Sequence, residues 1–209
     1  MPAPLVDVNV NDSNLRQLNH VNLMVDTFIQ NADADDLRAT VRALLATTAP
    51  STAVAFTKAA RARLAKTHPA HIAPDSQLFA PDPSHFGLVI PGPDIAAALR
   101  HARALYGSGL GLAGLEILLE IVQATGGLRW TESGPTGDLL AVVDADCCQA
   151  IQSAKEEIGG GRAGQSFDRV RATIAHARAV LGQSAKDVST WSPDFPFERA
   201  FSSLEVWKV

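Results

Sequence analysis

The chain has 209 residues, 46% of them hydrophobic and 19% charged, with a net charge of −4. That is long enough to bury a core and too apolar to stay unfolded. The acidic balance, with no aromatics interleaved among its basic residues, speaks against a nucleic-acid partner, and no apolar run approaches the roughly twenty residues that span a bilayer.

The opening stretch, M-P-A-P-L-V-D-V-N-V-N-D, has neither the basic start nor the apolar run of a secretory signal. Ser13 to Gln30 reads as a first helix, with Leu15, Leu18, Val25 and Ile29 at helical spacing. N-A-D-A-D-D-L-R then places Asp33, Asp35 and Asp36 where a helix N-terminus welcomes negative charge. Leu37, Val41, Leu44 and Leu45 carry that helix to a stop at Pro50, and Ser51 or Thr52 can cap the next, Ala53 to Lys66. Between Leu37 and Pro74 stand Arg38, Arg42, Lys58, Arg61, Arg63 and Lys66 and no acid. Such a basic segment reads either as a solvated face or as a surface for an anionic partner.

From Thr67 to Pro93 six prolines accumulate. Each removes an amide donor and steers its predecessor away from helix, so a long loop is expected, with one short strand at His85 to Ile90. Helices resume from Pro93-Asp94 to Tyr106 and from Leu110 to Thr125. The second is apolar on most sides and is expected at the centre. A turn-rich connection leads to a helix from Asp138 to Ile158, which G-G-G-R-A-G breaks, and a last long helix runs from Phe167 to about Thr190. The tail from Trp191 is aromatic and reads as irregular.

D-A-D-C-C-Q-A-I, Asp144 to Ile151, poses the sharpest question of chemistry. On a helix, Leu140, Val143, Cys147, Ala150, Ile151 and Ala154 form one apolar stripe, with Asp138, Asp146, Glu156 and Glu157 opposite. Asp144 lies on the border. A tetrahedral metal site needs about four ligands, and none are spaced to complete one here. Cys147 and Cys148 are adjacent, about 3.8 Å apart at Cα, too close for an unstrained disulfide. Free thiols fit a reducing, cytoplasmic setting.

Two stretches match G-x-G-x-x-G, at Gly109–Gly114 and Gly159–Gly164. The dinucleotide fingerprint needs a preceding strand, and helices precede both, so no nucleotide cofactor is expected. His68, His71 and His85, with Asp75 and Asp82, form the most ligand-like collection, but their spacing matches no zinc motif and no metal is expected.

The expected fold is therefore all-α: one domain over residues 1–209, a bundle of six or seven helices, with residues 67–93 joining two halves and 191–209 as the tail. A minor alternative is α+β, with a hairpin near 128–143 formed by L-L-A-V-V and L-R-W-T-E. Two functions fit. In one, a small apolar organic ligand occupies a pocket walled by Trp130, Trp191 and Phe197, with His85, Asp144 and Glu198 as acid–base groups for cofactor-independent cyclisation, isomerisation or elimination. In the other, the basic segment 38–66 and the aromatic tail bind a protein partner, a homodimer being one form.

Overall fold

The computed structural model describes residues 23–67, 71–161, 167–192 and 194–208. Ser13 to Asn22, His68 and the end of G-G-G-R-A-G lie outside the described residues. The protein is all-α: eight helices and one two-stranded hairpin among the described residues. No helix there is long and apolar enough to cross a membrane.

The chain falls into two compact units, one up to Ala55 and one from Phe56. In the first, α1 occupies residues 23–31 and α2 Ala34–Thr47. Asp33 caps α2, its side chain accepting from the amides of Asp35 and Asp36 at 2.8 Å. Helix α3, Pro50–Thr67, starts in this unit. Pro50 is its first residue, a position where the missing N–H costs nothing.

The second unit holds the core. The Pro-rich segment contains a hairpin of β1, Phe79–Pro81, and β2, Val89–Pro91, in antiparallel register with Ala80 opposite Ile90. The strand expected at His85 begins later, at Val89. His85 to Leu88 instead close a turn, with Leu88 N–H donating to His85 and Gly87 at φ +82°. The segment is ordered by contacts that no local pattern announces. Val89 N–H donates to the Arg129 carbonyl at 2.9 Å, and the Thr136 hydroxyl to the Val89 carbonyl at 2.8 Å. The hairpin weighed near 128–143 does not form. Leu128 to Thr131 has no regular secondary structure, and L-L-A-V-V lies inside a helix.

Four helices build the bundle: α4 Ile95–Gly107, α5 Gly111–Ala124, α6 Pro135–Gly159 and α7 Phe167–Val188. Helix α5 is the axis, with Leu115, Ile117, Leu118, Leu119, Ile121 and Val122 all essentially buried. It packs against α4, α6 and α7, which is why its apolar residues run round most of its circumference. Thr173 of α7 meets Glu116, and Asp187 meets Gly127, so α5 and α7 run side by side in the same direction.

The tail is irregular only as far as Phe197. Glu198–Glu205 forms α8. Phe197, Ala200 and Leu204 are fully buried at spacings of three and four, a helical pattern that the flanking prolines obscure in the sequence. Eight residues cannot hold a helix alone. Asp144 accepts from the Ala200 amide at its N-terminal end, and Arg178 donates to the carbonyls of Leu204 and Trp207 at its C-terminal end. Each charge matches the helix dipole at its own end.

Candidate ligand cleft

The D-A-D-C-C stretch resolves into packing. Cys147 is fully buried in the α6 stripe, and burial pushes its thiol pKa well up, so it stays a neutral core residue. Asp144 accepts from Arg199 Nε at 2.6 Å through one oxygen and from the Ala200 amide at 2.9 Å through the other. Asp146 and Glu157, expected on the solvent side of α6, are instead buried. Helix α6 is covered on more than one flank, by α4, α5 and α8, and its second flank carries carboxylates. Asp146 takes Arg103 at 2.7 Å and the Tyr106 hydroxyl at 2.9 Å. Burial first, then this hydrogen bond, pushes the Tyr106 pKa up to about 12. Glu157 accepts from the Leu112 amide at the start of α5, at 3.2 Å, and faces Arg61 at 3.7 Å. Three buried acids thus lock neighbouring helices in place, two of them at helix N-termini.

The other sequence-expected site residues are dispersed. His85 is exposed at the hairpin turn and pairs with Asp82 at 3.0 Å. Glu198 is exposed in the first turn of α8. No hydrogen bond or ion pair joins His85 to Asp144 or Glu198 among the described residues. Phe197 is fully buried. Trp130 and Trp191 do come together, edge to face with centroids 4.7 Å apart, and the Arg129 guanidinium lies 5.1 Å over the Trp191 ring. His71 pairs with Glu120 at 2.6 Å, and that hydrogen bond raises its pKa. Among the described residues no three His, Cys, Asp or Glu side chains are placed to hold a metal ion.

A cleft opens elsewhere, where α5 stops and α7 runs on. Its volume is about 540 Å³. Val122, Gln123, Gly126 and Gly127 line it from the end of α5, and His176, Ala179, Val180, Gln183, Ser184 and Asp187 from α7. Val122, Val180 and Ser184 are buried and make the floor, while Gln123, His176 and Gln183 are exposed and make the rim. Gly127, at φ +74°, turns the chain out of α5 in a conformation that favours glycine, and its amide donates to Asp187 at 2.9 Å. Arg129 reaches the same Asp187 oxygen at 3.4 Å, so the Trp130–Trp191 pair adjoins the Asp187 end of the cleft through Arg129.

Family models, curated proteins and solved structures offer no match to this chain.

The cleft holds Ser184, His176 and Asp187, the residue types of a nucleophilic triad, but not its geometry. His176 lies eight residues before Ser184 on one helix, about 12 Å along the axis. The Ser184 hydroxyl is buried and has no hydrogen-bond partner among the described residues, so none of them is placed as a base to activate it. The arrangement suits binding rather than acyl transfer. A signal for the cleft does exist in the sequence. Val170, Ile174, Ala177, Leu181 and Val188 form the buried stripe of α7, and Ser184 is a hydroxyl set in its register, as Thr173 is nearer the start of the helix.

Proposed function

We propose that the protein binds a small organic molecule in the cleft between the end of α5 and the second half of α7. One observation carries the reading: a 540 Å³ cleft with an apolar floor and a rim of amides, imidazole and carboxylate. Its size falls within the roughly 300–1,000 Å³ range of ligand sites, and a few convergent polar groups over buried apolar residues are their usual lining. The Ser184 hydroxyl in the floor, without a hydrogen-bond partner among the described residues, adds to it, because buried polar groups are ordinarily satisfied. Acid–base turnover by His85, Asp144 and Glu198 draws less support, since both Asp144 oxygens are already engaged.

Filling the cleft tests the reading. Ala179 is exposed on α7 at the cleft wall, so Ala179→Trp adds bulk there without entering the core. A fragment library screened by ligand-observed NMR against the full chain is expected to give binders that Ala179→Trp loses. No binders, or the same binders in both proteins, sinks the proposal.

A second reading rests on the first unit. Leu23, Met24, Val25, Phe28 and Ile29 of α1, with Leu44 of α2 and Val54 of α3, are 45–70% exposed, and neither α2 nor α3 buries a single residue. Met24 and Phe28, and Val25 and Ile29, are i,i+4 pairs, so α1 carries an apolar ridge suited to another helix. We infer a docking surface for a second copy of the chain, two-fold homodimers being the commonest soluble assemblies. Native mass spectrometry is expected to show a dimer that Phe28→Asp converts to monomer. A wild-type protein that stays monomeric up to its solubility limit removes this reading.

A further inference from the structure

The charges around the cleft say more than its shape. Among the described residues no lysine or arginine lines it, and Asp187 is its only carboxylate. Both hydrogen bonds to Asp187, from Gly127 N–H and Arg129, fall on Oδ2. Oδ1 therefore has no protein donor among the described residues. The second negative contribution is the field of the α5 C-terminus, which ends at the cleft wall: its Val122 and Gln123 carbonyls already accept from the Thr125 and Gly126 N–H groups, so the helix end acts through its dipole and not as a free acceptor. A helix C-terminus carries about half a negative charge. Arg129 offsets part of this field. Its contact with Oδ2 is long, however, and its guanidinium lies over the Trp191 ring outside the lining.

We propose that the cleft takes a small organic amine, its ammonium held by Asp187 Oδ1 and the end of α5, and its apolar body lying on Val122, Ala179 and Val180. Gln123 and Gln183 supply amide oxygens at the rim, the acceptors that a multi-donor cation needs. A carboxylate or phosphate ligand would meet Asp187 and the helix end with the wrong sign. This inference rests on the cleft being a ligand site.

Three probes of similar size and different charge separate the two claims: benzylamine, benzyl alcohol and benzoate, titrated into the full-length protein at neutral pH by calorimetry. Benzylamine is expected to bind about tenfold tighter than benzyl alcohol, the worth of one hydrogen bond to a charged group, and benzoate weakest. Asp187→Asn should remove that tenfold advantage while leaving benzyl alcohol within about twofold, because the amide oxygen still accepts from Gly127 N–H. Gln183→Lys places a cation on the exposed rim without touching the core. It should weaken benzylamine and strengthen benzoate, and it serves if the Asp187 variant folds poorly. Benzyl alcohol or benzoate matching benzylamine in a cleft that Ala179→Trp blocks would overturn the amine assignment and leave the cleft standing. Failure of all three probes, together with an empty fragment screen, would overturn both.

Discussion

Replacing Phe197 by alanine is expected to cost about 3–5 kcal/mol of unfolding free energy, the range for a buried phenylalanine whose cavity cannot collapse. Phe197 is among the largest side chains with no solvent exposure at all. It sits at the N-cap of α8, where the Phe195 ring meets it edge-on at 5.7 Å and Phe195 in turn meets Phe201 at 6.3 Å. Ala200 and Leu204 bury the same face of α8, so losing the ring loosens the whole helix. The tethers that remain, Asp144 to Ala200 and Arg178 to Leu204, bond the helix ends and do not fill space. Urea denaturation should show a lower midpoint with little change in slope, the sign of lost stability rather than an altered unfolded state. Phe197→Leu, which keeps most of the apolar volume, should lose no more than about 1.5 kcal/mol. A loss below about 1 kcal/mol in the alanine variant would mean that the ring is not in the core.

The C-terminal segment also shows where sequence reading stops. Its rings were legible as a group, but the helix that orders them was not. Pro193 and Pro196 mark a break, and the stripe Phe197–Ala200–Leu204 behind them is too short to stand out from an irregular segment. In contrast, α6 declared itself. Leu140, Val143, Cys147, Ala150, Ile151 and Ala154 recur over several turns, and all six are buried. The acids beside that stripe were misplaced for a physical reason. Periodicity identifies one apolar face, while Asp146 and Glu157 face neighbours on another flank, where Arg103 and Arg61 come from distant parts of the chain. The cleft was hidden in the same way. It arises because α5 ends at Ala124, just before the Gly126–Gly127 turn, while α7 continues to Val188, an offset between two helices that neither sequence contains alone. Ser184 marks it locally as a hydroxyl in an apolar register, but Thr173 sits in the same stripe and lines no part of the cleft.

The glycine pattern G-L-G-L-A-G yields the other large effect. A side chain at Gly111 would set Cβ 2.1 Å from the Ala154 backbone nitrogen and 2.5 Å from the Ser153 carbonyl carbon. Backbone cannot step aside as a flexible side chain can, so α5 would have to lift away from α6 along their contact. Gly114 is tight as well, its Cβ position 3.0 Å from the Ala102 carbonyl oxygen. The motif that resembles a phosphate loop therefore serves helix crossing: Gly109, at φ +84°, turns the chain, and Gly111 lets α5 start against α6. Glu157 of α6 accepts from Leu112 N–H at that same point, which fixes the approach. Two effects of Gly111→Ala oppose each other. Helix propensity favours alanine by at most about 1 kcal/mol. Overpacking a dense core typically costs about 1–3 kcal/mol, and a 2.1 Å approach to backbone that cannot move lies at the upper end, so the clash wins. The variant should unfold at markedly lower denaturant than wild type. Gly159→Ala is the control, because its Cβ would meet nothing within 4 Å, and it should be neutral or slightly stabilising. If both variants behave alike, α5 and α6 do not cross at Gly111, and the bundle is packed in some other way.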